Sequence, residues 1–176
     1  KVDKFIFASS IYVNSDYGGF YKSSKLSCET YIEEYSKLYG LNYRILRYGS
    51  IYGSRADLTN GIYSILYKGI KSNKLVYNGS FKTIRSYIHV KDVARISVNL
   101  LAKKYDNKII NITGNHPIKI KSLLSLISRI SNIKNIEFSK KPYIGHYINS
   151  LVSKKRNKII NIKCNHRITL EDGLKE

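Results

Sequence analysis

The chain has no methionine, no tryptophan, two prolines, two cysteines, and only twelve acidic residues against 31 lysines and arginines. Each shortage excludes something. No apolar run reaches the 18 or so residues that a membrane-spanning helix needs, so no membrane partner is expected. Cys28 and Cys164 are too far apart for metal-ligand spacing and read as reduced thiols of a cytoplasmic protein. His89, His116, His146 and His166 are scattered, so no metal site is expected. A chain that opens at Lys1 without any methionine is expected to be part of a longer reading frame, and a leader segment cannot be read from it.

The shortage of acid leaves a net charge of +19. Such a balance invites a nucleic-acid partner. The lysines, however, run through the whole chain between Ile, Asn, Ser and Tyr, and no arm or helix face gathers them. Biased residue usage accounts for that evenness, and no specific nucleic-acid partner is expected.

What is present is a run of α/β elements across 176 residues that are 43% hydrophobic, enough for a real core. Lys4 to Ala8 is a short apolar run suited to a buried parallel strand, ending at Ser9-Ser10. From Tyr21 to Tyr39, apolar residues return at helical spacing, and Gly40 suits the C-terminal cap. Asn42 to Tyr48 reads as a strand entering a loop, which completes a βαβ unit. A helix is expected around Ile62 to Ile70, extended pieces in "KLVYNG" and "IRSYIHV", and a helix over Lys91 to Lys103. "KIINIT" reads as another strand and Ile118 to Ile130 as another helix. The stretch "NKIINITGNHPI" from Asn107 recurs as "NKIINIKCNHRI" from Asn157, which fits two similar strand or turn positions and no repeat array.

One stretch carries chemistry. A tyrosine is a poor base at neutral pH, but a lysine ammonium one helical turn away can hold its phenolate by charge and hydrogen bonding. Tyr21 and Lys25 have that spacing at a helix start. So do Tyr67/Lys71 and Tyr87/Lys91, but only Tyr21 follows a buried strand that ends in serines. In an open parallel sheet, ligands bind beyond the carboxyl ends of the strands, so Ser10 and Tyr21 are expected to face one crevice. Asp92 suits the first turn of a helix, where its carboxylate meets the positive end of the dipole.

The ordered set "FIFASS", "YKSSK", "LRYGSIYGSR", "IRSYIHVKDVA", "INITG" and "ITLEDGL" resembles the extended short-chain dehydrogenase/reductase superfamily, and within it the NAD-dependent nucleotide-sugar epimerases and dehydratases. The resemblance implies a partial Rossmann-type doubly wound parallel sheet over 1–53 and 88–115. A smaller α/β substrate-binding part would be interleaved over 54–87 and 116–176. It implies Ser10, Tyr21 and Lys25 as catalytic residues, with Tyr21, Lys25, Tyr48 and Gly49 against NAD. Ser10, Ser50, Tyr77, Asn78, Arg85 and Tyr87 would contact a nucleotide-sugar substrate, Arg85 through the diphosphate, which suits a guanidinium fork. A homodimer is expected at full length.

The chain departs from the family's pattern in four places. Ser50 stands where Asn is common, and the loop from Ser10 to Tyr21 is short. Ile11-Tyr12 replaces the Asp-Glu pair that follows the catalytic Ser/Thr in 4,6-dehydratases. No Gly-x-x-Gly-x-x-Gly turn for the pyrophosphate is present, so residues 1–176 alone are expected to hold half a site.

Overall fold

The computed structural model describes residues 2–15, 18–139, 159–165 and 167–176. The chain divides into two units, one comprising Lys1–Gly49, Ala94–Thr113 and Ile144–Cys164, the other Ser50–Val93, Gly114–Tyr143 and Asn165–Glu176.

The first unit is built on a four-stranded sheet in the order β1 (Phe5–Ser10), β2 (Tyr43–Tyr48), β6 (Lys108–Gly114), β9 (Ile159–Cys164). β1, β2 and β6 run parallel, with Ser9 opposite Arg47 and Ser10 opposite Tyr48. Helix α1 (Gly19–Tyr39) connects β1 to β2 and stops at Gly40, whose φ of 66° is the left-handed cap conformation that glycine adopts without strain. Ile32 of α1 packs on Tyr43, Ile45 and Ile109. β2 is buried along nearly its whole length, as a central parallel strand should be. β1 is less so: Phe5 and Ile6 are about two-fifths exposed, and among the described residues β1 pairs with β2 alone.

The sequence echo resolves into neighbouring strands. β6 and β9 lie side by side, and Asn111 donates through Nδ2 to Oδ1 of Asn161 at 2.8 Å, its counterpart fifty residues on. Like residues face each other because the two strands have similar sequences and adjacent places.

In the second unit, β3 (Ser50–Tyr52) pairs parallel with β5 (Ile84–His89), which pairs antiparallel with β7 (Pro117–Lys119). β4 (Leu75–Asn78) and β8 (Ile136–Ser139) form a separate parallel pair. The core is apolar: Ile120, Leu123, Leu124 and Ile127 of α4 (Ile120–Ser131) form one stripe, packed with Ile62 of α2 (Gly61–Ser72), Tyr52, Leu75, Tyr77 and Ile133. Each such side chain contributes roughly 1.5–3 kcal/mol on full burial. Helix α5 (Leu170–Lys175) starts at Thr169, whose hydroxyl caps the Asp172 N–H at 3.1 Å.

Two expected helices end elsewhere, each for a visible reason. α4 begins at Ile120 because Ile118 and Lys119 are drawn into the β5–β7 ladder, opposite Arg85 and Ile84. α3 (Val90–Asn99) stops short of Lys103, and the buried Arg44 guanidinium takes the Leu101 and Ala102 carbonyls at 3.0 and 3.2 Å. The segment Ser50–Tyr52, read as loop, is strand β3.

Candidate functional site

β1 and β2 deliver Ser10 and Tyr48 to the same carboxyl-terminal edge, as partners in register. Ser10 is buried and accepts the Tyr12 N–H through Oγ at 3.2 Å, starting a short 3-10 turn over Ile11–Asn14. That bond uses an acceptor site and leaves the hydroxyl proton to donate. Tyr21 lies in the first turns of α1 and is 45% exposed. Lys25, one turn on, donates to the Ala8 carbonyl of β1 at 2.9 Å, with its ammonium 5.9 Å from the Tyr21 ring centroid and 5.1 Å from that of Phe7. Helix and strand end are thus tied together by the lysine of the pair.

The other two pairs at the same spacing do not do this. Tyr67 and Lys71 sit together on α2, the ammonium 4.4 Å over the ring. Tyr87 is on β5 while Lys91 is on α3 and pairs with Glu176 at 2.8 Å.

Tyr48 holds its hydroxyl 2.8 Å from Ser97 Oγ of α3. Gly49 donates to the Ile112 carbonyl at 2.8 Å, and an added Cβ would stand 3.3 Å from that oxygen, so the backbones approach closely here. Ser10, Tyr21, Lys25, Tyr48 and Gly49 all belong to the first unit.

The remaining expected contact residues belong to the second. Ser50 of β3 stands opposite Tyr87 of β5, whose ring meets Tyr52 edge-on at 6.3 Å. Arg85 is half-buried on β5, opposite Ile118. Tyr77 is buried, its ring T-shaped to Phe138 at 6.4 Å, and Asn78 beside it is exposed. Asp92 does lie in the first turn of α3, but it is fully buried and its Oδ2 accepts the backbone N–H groups of Arg167 and Ile168. It anchors the segment that enters α5. Tyr52 is pushed up to about 12, by burial first and then by the negative charges of Asp92, Glu176 and Asp172.

Sequence reasoning missed Glu29 and Arg47. Glu29 is buried in α1; its Oε1 accepts from Ser9 Oγ at 2.5 Å and Arg47 Nε at 2.9 Å, and its Oε2 from Arg47 Nη2 at 2.5 Å. The signal was there: an acid on the same helix face as Tyr21 and Lys25, and an arginine among the apolar residues of the strand of a βαβ unit. A charge in such a strand needs a partner.

A profile of the NAD dependent epimerase/dehydratase family matches residues 1–113. The chain belongs to that family. A candidate UDP-glucose 4-epimerase from Methanocaldococcus jannaschii is 32% identical over 142 residues, covering 71% of this chain and 46% of its own length. The UDP-glucose 4-epimerase of Thermotoga maritima, solved with UDP-glucose, is 25% identical at a TM-score of 0.76, covering 99% of this chain and 62% of its own. The UDP-glucuronic acid 4-epimerase of Bacillus cereus, solved with UDP-glucuronic acid and NAD, is 22% identical at a TM-score of 0.80, over 99% and 60%. That last likeness concerns the fold, which is the Rossmann-type α/β class expected from the sequence. The chain spans about half the length of the curated relative and three-fifths of the solved ones.

The residues present fit the nicotinamide end of NAD. A partly exposed tyrosine and a lysine fixed at the carboxyl end of a parallel strand, where open sheets of this kind bind their ligands, suit that end of the dinucleotide. No glycine-rich turn for the pyrophosphate occurs within the 176 residues.

Proposed function

We propose that the protein carrying this chain is an NAD-dependent nucleotide-sugar epimerase of the UDP-hexose 4-epimerase kind. It would serve the synthesis of glycan or surface-polysaccharide precursors, as a cytoplasmic homodimer. One observation carries the reading: Lys25 reaches from α1 to the Ala8 carbonyl with Tyr21 one turn before it. NAD, when bound, supplies the redox chemistry. Tyr21 takes the proton from the sugar hydroxyl and later returns it, Lys25 stabilises the charge on Tyr21 and binds the nicotinamide ribose, and Ser10 donates to the sugar oxygen. Tyr48 and Gly49 border the nicotinamide. Arg85 grips the diphosphate, and Ser50, Tyr77, Asn78 and Tyr87 contact nucleotide and sugar. The relatives named above support 4-epimerisation of a UDP-sugar.

Among related chemistries, a 4,6-dehydratase must also eliminate water and needs a positioned acid and base after Ser10. Ile11 is buried there, and Tyr12 brings no carboxylate. The full-length protein, given a UDP-hexose, is therefore expected to interconvert two hexose epimers. NMR analysis of the products tests this: accumulation of a 4-keto-6-deoxy sugar overturns the epimerase reading, and net consumption of NADPH would make the enzyme a reductase.

A further inference from the structure

Tyr21, Lys25 and Glu29 follow one another at single-turn intervals on one face of α1. The first two point at the proposed chemistry. The third is buried and bonded three ways: to Ser9, one residue before Ser10 on β1, and twice to Arg47, one residue before Tyr48 on β2. Ser9 and Arg47 are themselves partners in the β1–β2 ladder. One carboxylate therefore joins a helix and two strands directly beneath the residues that those three elements present at their ends.

We propose that Glu29 and Arg47 are positioning residues, which fix the height of α1 against the carboxyl ends of β1 and β2 and so hold Tyr21 and Lys25 in line with Ser10 and Tyr48. The inference rests on the proposed function. Apolar contacts between α1 and the sheet permit sliding at little cost; a bidentate guanidinium–carboxylate pair with a hydroxyl on the same oxygen has a single good geometry. Ser9 completes it, because its 2.5 Å bond makes the helix position depend on β1 as well as on β2. An ion pair so buried adds little net stability compared with apolar residues of the same volume, so its use lies in geometry.

That contrast supplies the experiment. Glu29→Gln alone would leave Arg47 buried without its counter-charge and could unfold the protein, so the decisive variant is the double change Glu29→Met with Arg47→Met in the full-length protein. Its melting temperature is expected to stay within a few degrees of the parent, since apolar replacements of buried pairs are often neutral. The kcat is expected to fall by about ten- to a hundredfold with KM for the UDP-hexose little changed, the signature of reacting groups misplaced by about an ångström. Amide hydrogen exchange over residues 18–26 should rise at the same time. Parental kcat in a folded double variant overturns the inference, as does unchanged exchange over 18–26. If the parent itself epimerises nothing and Tyr21→Phe changes no activity, the functional reading falls, while the exchange measurement still decides whether the pair positions α1.

Discussion

Each of the two units is held together internally by a different means. Among the described residues, every buried polar side chain except His89 and Asp92 lies in the first unit: Ser9, Ser10, Ser15, Glu29, Arg44, Arg47 and Asn111. There the Arg47–Glu29 pair, the Arg44–Asp106 pair and the Asn111–Asn161 bridge join elements through directional bonds. The second unit relies on a nine-residue apolar cluster in which α4 contributes Ile120, Leu123, Leu124 and Ile127. Volume packing fixes which face of a helix is buried; it is less exacting about how far the helix slides. Directional bonds set that distance, and they are concentrated in the unit that carries Tyr21 and Lys25, the residues of the proposed proton transfer.

The largest expected effect tests that assignment. Tyr21→Phe keeps the ring and removes the proton acceptor, so kcat should fall by about two to four orders of magnitude, the usual share of general acid–base catalysis. Tyr67→Phe makes the same change in a pair with an even closer lysine, 4.4 Å from the ring centroid, but in the second unit and on one helix. It should leave turnover within a few-fold of the parent. Equal damage from the two variants would break the comparison, because the strand-end lysine would then confer nothing.

The contrast also explains what could be read from the sequence. The apolar stripe of α4 and the βαβ unit were legible because period and burial coincide there. Gly40 was legible as a cap because its chemistry is local. The Tyr21/Lys25 pair was separable from its two imitators by the serines ahead of it. What sequence could not supply was pairing across long separations. Ile118 looked helical until β5 claimed it, Lys103 until Arg44 captured the carbonyls before it, and Glu29 drew no reading because its partner, Arg47, lies eighteen residues on. The exposure of Phe5 and Ile6 was likewise unreadable, since an apolar run does not say what covers its strand.

Next in size is a change confined to the apolar unit. Leu124 is fully buried in the α4 stripe, and Leu124→Ala should cost about 2–5 kcal/mol, the transfer term plus the cavity left behind. Urea unfolding measures it. A loss below about 1 kcal/mol would mean that the cluster collapses around the gap, and that the second unit is not held by volume in the way proposed.

Tyr52 sharpens the comparison from the exception side, since it meets His89 edge-on, 5.1 Å between centroids, and feels the negative charge of the buried Asp92. Its phenol is raised in the folded state from the ordinary 10 to about 12. The folded protein therefore holds this proton more tightly than the unfolded chain does. The resulting stability is complete below pH 10 and is lost as pH rises through 10 to 12. Tyr52→Phe should remove that part of the alkaline decline, so its stability falls less steeply than the parent's between pH 10 and 12. Parallel curves in denaturant titrations at pH 9 to 12 would show that Tyr52 is not the group responsible.

The smallest effects concern how the helices begin. α2 starts at Asn60, whose Oδ1 accepts the N–H groups of Ile62 and Tyr63 at 3.1 and 3.2 Å, and Asn60→Ala should cost about 1 kcal/mol, as capping losses do. α1 starts at Gly18 with no side-chain cap, which by propensity alone invites Gly18→Ser as an improvement. The structure opposes that. A Cβ at Gly18 would lie 2.2 Å from Lys22 Cβ, and Lys22 is held in place by its ammonium on the Ser15 carbonyl at 2.6 Å. A Cβ atom cannot swing aside like the end of a long side chain, so the first turn of α1 would have to move, and Tyr21 lies in it. Gly18→Ser is therefore expected to lower the melting temperature and kcat together, whereas Asn60→Ala lowers only the melting temperature. A Gly18→Ser protein that melts higher and turns over normally would show that the start of α1 tolerates adjustment, and that its position is set lower down, at Glu29.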